Sequence, residues 1–358
     1  MSKFLSEPMQ ILISAKRKIM KAIGITKSLP VDDKNCFISF ETEKPMPESK
    51  DLLVKIHAVS VNPVDYKVRQ SAAKDKELDE PKILGWDAAG VVEAVGNEVS
   101  NFKVGDEVYY SGEYERPGCN AEFQLIDSRI AGHKPSNFSF EEAAAMPLTA
   151  ITAWEAIFDR LRLQKNGEND KKLLIIGGAG GVGSIGIQLA KKLTNIQVIA
   201  TASREETSDW CKKMGADVIV NHHDLENDLK KANIENVDYI LNFFDTDMHW
   251  EAMANLIKPQ GHICSIVENK NPLDLNKLKN KSVAFHWEFM FTRSLFKTED
   301  MIEQHKILEE LRLLFEEGTL KSTINNTFEG LDTQVFREVH QLQESGQSIG
   351  KNVIKFIA

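Results

Sequence analysis

Apolar residues in this chain change their spacing near residue 140. From Cys36 to His133 they come in short runs and alternations. Asp51 to Val61 is apolar and β-branched, Gly90 to Val95 (GVVEAV) alternates beside a glycine, and Asp106 to Tyr110 (DEVYY) follows Gly105. Glycines at 90, 96, 105 and 112 break these runs at short intervals, as turns between strands do. A compact, barrel-like β domain is predicted. From Phe140 to Arg160 the spacing becomes helical, alanine-rich and broken once, at Pro147. Beyond it, strands are predicted at 172–176, 196–202, 217–220, 237–244 and 262–267, with helices near 182–193, 205–214, 224–232 and 246–257 between them. Repeated βα units mean a doubly wound parallel sheet, so the fold class is α/β. Lys281 to Glu288 offers one more strand and Glu299 to Glu317 an amphipathic helix; the rest reads strand–helix–strand, the last strand at Val353 to Ile357.

At 358 residues the chain is long for one core, and two domains are expected. Its net charge of −9 argues against nucleic acid, which is bound by neutralising phosphates with Lys and Arg. No apolar stretch is long enough for a bilayer, so a small molecule rather than a membrane is the expected partner. Cysteines at 36, 119, 211 and 264 form no close pair, the pattern of a reduced, cytoplasmic protein. Residues 1–19 contain Phe4-Leu5 and Ile11-Leu12-Ile13, but Glu7, Pro8 and Gln10 interrupt them and Lys16-Arg17-Lys18 follows rather than precedes. That order does not suit a signal peptide, and a mobile extension ahead of Met20 is expected.

The densest chemical signal is LLIIGGAGGVGSIGIQLA (173–190). A buried strand, Leu173 to Ile176, stops at glycines, and an apolar helix pattern follows at once. Gly178, Gly180 and Gly183 make G-x-G-x-x-G, with Ala179, Gly181 and Val182 completing the loop. Glycines permit the tight turn, let backbone approach a pyrophosphate and seat the helix on the sheet; the helix N-terminus then holds the negative charge. About where an acid would hold an NAD ribose hydroxyl, the chain reads Thr201-Ala202-Ser203-Arg204. A hydroxyl and a guanidinium suit a 2′-phosphate, so NADP(H) is the expected cofactor. Glu205 and Glu206 follow as helix-start acids or, alternatively, as a ribose ligand.

With these pieces in place, VNPVDYKVR (61–69), LGWDAAGVVEAVG (84–96), VGDEVY (104–109), PLTAITAWEAIF (147–158) and the glycine loop resemble, in order, the medium-chain dehydrogenase/reductase superfamily. Within it they look like the quinone-oxidoreductase branch and its zinc-type alcohol dehydrogenase-like members. The resemblance implies a Rossmann domain over 148–289 inside a GroES-like catalytic domain built from 20–147 and 290–358. It also implies a homodimer joined through sheet edges near 281–288. Zinc members carry Cys where this chain has Asn62 and His where it has Trp86, and a third ligand is missing near Pro147 to Thr149. Asp87 alone cannot make a three-ligand site, and nothing in the spacing of His57, Cys119 and His133 gathers them, so no metal is expected.

Without zinc, hydride transfer is easier to acceptors that delocalise charge, namely quinones and α,β-unsaturated carbonyls. Tyr66 is then the candidate donor to the developing anion and Asn62 an orienting amide, with Asp65 bracing the loop. For Tyr66, half-buried packing is the other reading. The resemblance places Thr149 near the nicotinamide ribose or phosphates, and Ser203, Arg204 and His222 around the adenosine phosphate. Lys351 falls beside the cofactor or, equally, on the surface. Trp86, Phe243 and Phe244 are candidate walls of an apolar substrate pocket. FHWEFMFTRS (285–294) receives no mechanism for His286 or Glu288. A zinc-type alcohol dehydrogenase and a low-turnover NADPH-binding protein are the rival readings.

Overall fold

The computed structural model describes residues 18–357, so most of the expected N-terminal extension lies outside the described residues. Its strands, in chain order, are β1 (Ile19–Ile25), β2 (Ile38–Glu43), β3 (Asp51–Val61), β4 (Lys82–Ile83), β5 (Asp87–Val95), β6 (Glu107–Ser111), β7 (Phe123–Asp127) and β8 (Ala131–His133). They continue with β9 (Lys172–Ile176), β10 (Gln197–Thr201), β11 (Val218–Val220), β12 (Val237–Asn242), β13 (Ile257–Ser265), β14 (Ala284–Trp287), β15 (Ile324–Glu329) and β16 (Lys351–Lys355).

The middle of the chain forms a six-stranded sheet in the order β11-β10-β9-β12-β13-β14, every neighbour parallel. The chain winds outward from β9 to β11, then returns to β12 on the other side of β9. That reversal leaves a crevice at the carboxyl ends of β9 and β12, where doubly wound sheets take their ligands. In β9, Leu173 and Ile175 join one apolar core and Leu174 and Ile176 the other. Both faces are covered, which is why the strand reads as an unbroken apolar run.

The remaining strands form a three-stranded sheet, β2-β1-β4, and a seven-stranded sheet ordered β15-β16-β3-β5-β6-β8, with β7 also on β3. The seven-stranded sheet joins β3 and β5–β8, from before the parallel sheet in the chain, to β15 and β16, from after it. Asn352 pairs with Val61 antiparallel, which sets Lys351 beside Asn62. Among the described residues, no helix is long and apolar enough to cross a membrane.

Two local readings need correcting. The expected β-rich stretch contains a helix, Pro63–Ser71, opened by Asn62 at its cap and Pro63 at its first turn, where a missing N–H costs nothing. The helical segment 140–160 is three pieces: Phe140–Ala144, Pro147–Trp154 and a π-helical run, Glu155–Arg160.

Candidate active site

The glycine loop closes β9 and opens the helix Gly181–Leu193, and each glycine has a spatial reason. A Cβ on Gly178 would lie 2.9 Å from the Ala200 Cβ and 3.0 Å from the Cys211 Sγ. One on Gly183 would lie 2.2 Å from the Gly177 carbonyl oxygen, whereas one on Gly180 meets nothing nearer than 3.6 Å. So Gly178 and Gly183 allow close packing, and Gly180 leaves open space over a helix N-terminus that no side chain caps. Free N–H groups facing open space fit an anionic group such as a pyrophosphate.

A cleft of about 670 Å³ runs from this loop to the helix Pro63–Ser71. Tyr66, Asn62, Thr149, Gly180–Gly183, Phe243, Phe244 and Lys351 all line it, so sequence-predicted residues far apart in the chain come together. Tyr114 and Glu268, which were not singled out, line it too, as does Glu288–Phe291 of the stretch that the sequence marked without a mechanism. Gly178 and Ala179 sit in the loop beneath. Ser203, Arg204 and His222 stand beyond the lining, at the tips of β10 and β11. Arg204 caps the helix Glu205–Met214 and donates from Nη2 to the Gln347 carbonyl at 2.9 Å. His222 approaches Phe244 with ring centroids 5.9 Å apart, which places these residues past the cleft's phenylalanine end.

Beneath Tyr66 lies a buried polar cluster. Asp87 accepts hydrogen bonds from the Leu148 backbone at 2.7 Å, from Asn62 Nδ2 at 2.8 Å and from Lys351 Nζ at 3.2 Å. Lys351 also donates to Asn62 Oδ1, and its stem crosses Gly181 and faces Thr149. The Asn62 backbone N–H donates to Asp65 at 2.8 Å, bracing the turn as expected. Burial drives the ionisable members toward neutrality: Asp65 is pushed up to about 7, Asp87 is raised and Lys351 lowered, against the attraction between the last two. Tyr66 itself has no hydrogen-bond partner among the described residues, and burial, with Glu344 and Glu268 adding to it, raises its hydroxyl.

Three expectations change. Asn62 is not a free orienting amide, because both ends of its carboxamide are taken by Asp87 and Lys351. Lys351 is not a surface lysine; it is 3% exposed and turned inward. Trp86 does not wall the cleft: its ring stacks behind Tyr114, centroids 5.8 Å apart, and its Nε1 donates to the Glu113 carbonyl. The sequence signal for Asp87 was an acid inside an apolar strand, which burial makes costly unless it is fully bonded.

Zinc does not fit these residues. Its position would offer an amide and one carboxylate already holding an ammonium, and among the described residues no three of His, Cys, Asp and Glu are placed to hold a metal ion together. His57 instead stacks on Phe140, His133 bonds Glu309, and Cys119 lies against the Asp87 carbonyl.

Residues 48–152 match the family model of the alcohol dehydrogenase GroES-like domain, and residues 214–354 that of the zinc-binding dehydrogenase domain. A zinc-type alcohol dehydrogenase-like protein of Staphylococcus epidermidis is 47% identical over 94% of this chain and 99% of its own length. The NADPH-dependent alkenal/one oxidoreductase of Arabidopsis thaliana chloroplasts is 32% identical over 66% of this chain and 60% of its own. Among solved structures, a Rhizobium etli protein classed with zinc-dependent alcohol dehydrogenases is 43% identical. It covers 96% of this chain and 99% of its own length with a TM-score of 0.90.

Proposed function

Because the chain belongs to the medium-chain dehydrogenase/reductase superfamily, a family of oxidoreductases, we propose that it is an NADPH-dependent, zinc-independent reductase of quinones or α,β-unsaturated carbonyls. The observation that carries this reading is the Tyr66 hydroxyl, without a hydrogen-bond partner among the described residues, in a cleft that begins at an open glycine loop. The Arabidopsis relative, named for NADPH and alkenal/one substrates, supports the same direction.

NADPH, when bound, supplies a hydride. Gly178–Gly183 hold its pyrophosphate, Thr149 and the Lys351 stem border the nicotinamide half, and Ser203 and Arg204 take the 2′-phosphate, with His222 nearby. Tyr66 donates a hydrogen bond to the substrate oxygen that gains charge; a tyrosine hydroxyl carries its proton at neutral pH, and burial raises this one further. Asp87, Asn62 and Lys351 hold still the helix start that carries Tyr66. Tyr114 and Phe291 give the acceptor end an apolar wall that favours a flat, apolar acceptor, while Phe243 and the half-exposed Phe244 border the cleft toward His222. The domain plan proposed with it sets a Rossmann domain, 148–289, within a catalytic domain built from 20–147 and 290–358. Among the described residues β14 pairs with β13 alone, and a second copy docked on that edge would give a homodimer; the cysteine pattern suits the cytoplasm as its compartment.

The test is NADPH oxidation, followed by absorbance, across a panel of quinones and enals. Turnover is expected, and Tyr66→Phe should lower kcat roughly 10- to 1,000-fold with NADPH affinity kept. Tight NADPH binding with no oxidation would point to the binding-protein alternative. Alcohol oxidation lost on chelating a stoichiometric zinc would point to the alcohol dehydrogenase one.

A further inference from the structure

Glu288, in the stretch FHWEFMFTRS, follows β14 and lines the cleft, yet is 2% exposed and neither of its carboxyl oxygens receives a hydrogen bond from an N–H. The Arg160 Nε lies 2.8 Å from one oxygen without directing its hydrogen there. Arg160 also reaches a second buried carboxyl, Glu155, 1% exposed on the π-helical run, at 3.9 Å, so the two carboxyls meet around one guanidinium and interact with each other. Two ionised carboxylates have no hydrogen to share, so a bond between them requires one to keep its proton.

The surrounding charge agrees. Arg293 is engaged by Glu155, by Asp159 at 3.1 Å and by Asp300 at 3.0 Å, while Arg160 contacts Glu288 and reaches Glu155 only at 3.9 Å. Two guanidinium groups thus face four carboxyls. Asp159 and Asp300 have solvent to stay ionised in, and the buried members do not. Cys264 of β13 and His286 of β14 are the other titratable groups near the pair. Burial raises Glu155 and Glu288 alike, and each adds to or leans on the other.

We propose that Glu155 and Glu288 hold one proton between them, and that this shared proton is what positions Glu288–Phe291 as the floor of the cofactor cleft. The bond ties that segment to the helical rod carrying Thr149 and Thr152, which line the same cleft. The inference rests on the reading of the cleft as a nicotinamide site. A proton held by raised carboxyls is present at low and neutral pH and lost as pH rises, so the floor loosens on the alkaline side.

The infrared difference spectrum of the full chain without ligand, wild type minus Glu155→Gln, should show one protonated-carboxyl band, since the amide supplies the hydrogen instead and any contribution of Asp65 or Asp87 is common to both and cancels. In fluorescence titrations wild-type affinity for NADPH should weaken about tenfold or more from neutral to alkaline pH, the scale of leaving a buried charged group unsatisfied. Glu155→Gln should stay within about threefold across that range, while Glu155→Ala should be weak throughout. Should the alanine variant fail to fold, the isosteric glutamine variant decides alone. An unchanged carboxyl band in Glu155→Gln, the same alkaline loss in that variant, or a pH-independent wild type overturns the proposal. None of these readouts involves a substrate. A chain that passes them but reduces no quinone or enal overturns only the reaction assigned above.

Discussion

Asp87 ties together the turn before Tyr66, the start of the helix Pro147–Trp154 and the strand that carries Lys351. Removing one member of such a pair leaves the other buried and uncompensated, which costs about 3–5 kcal/mol. Lys351→Met should therefore lower the free energy of unfolding by that amount in urea titrations, and Lys351→Met with Asp87→Asn should recover more than half. Full additivity of the two substitutions would mean that the ion pair is not the link. Arg204 makes a different case, since its observed partner is a backbone carbonyl that a phosphate can replace. Arg204→Ala should weaken NADPH roughly 10- to 150-fold, the size of one charge-assisted hydrogen bond, and leave NADH nearly untouched. Equal losses for both would make Arg204 a loop brace. Tyr66 and the glycines were legible because their types match their chemistry. Asn62 was misread because an amide's partners depend on residues 25 and 289 positions away, which no local pattern displays.

At the scale of elements, the loop after β9 separates packing from binding. Gly183→Ala drives a methyl to 2.2 Å from one backbone oxygen and 2.7 Å from the next, neither on a flexible tip. A loss of roughly 1–3 kcal/mol in stability is expected, with cofactor affinity falling alongside. Gly180→Ala should leave the thermal midpoint nearly unchanged, because its methyl enters open space, yet still weaken NADPH by occupying the phosphate's approach. Similar behaviour of the two variants in paired melting and binding measurements would contradict these roles. The parallel strands were readable because burial on both faces makes them apolar throughout. The helix Pro63–Ser71 escaped because two of its three buried residues are Asp65 and Arg69, so its inner face carries no apolar period. The π-helical run escaped for another reason: a shift of hydrogen-bond register leaves no mark in residue type.

At the scale of the molecule, the late helix Glu303–Glu316 is fastened to β8 by Glu309, which accepts from the His133 ring at 2.8 Å, the His133 backbone at 2.7 Å and Arg312 at 2.9 Å. Burial alone would raise Glu309, but these bonds outweigh it and hold it at about 2; the same contact raises His133. The depressed glutamate stabilises the fold above its ordinary 4.5 and loses that contribution as pH falls toward 2. The raised histidine stabilises it below 6.5 and loses that as pH climbs through its folded pKa. Both are intact between those limits, so the urea midpoint should be highest there, and His133→Ala should flatten the profile at both flanks. A profile unaltered by that substitution would remove the pair from the account. The division into a parallel sheet and a β-rich remainder was visible in the spacing of apolar residues, but the pairing of β16 with β3 was not, since strand partners carry no sequence label. That pairing also sets an order in time. A ribosome makes Asn62 and Asp87 more than 250 residues before Lys351, so the nascent chain must keep an acid waiting without its cation while the parallel sheet is still being synthesised. A stall or cleavage shortly before residue 351 would release a chain with its glycine loop built and its cleft unsealed, recognisable to proteases by the same helix Pro63–Ser71 that carries Tyr66.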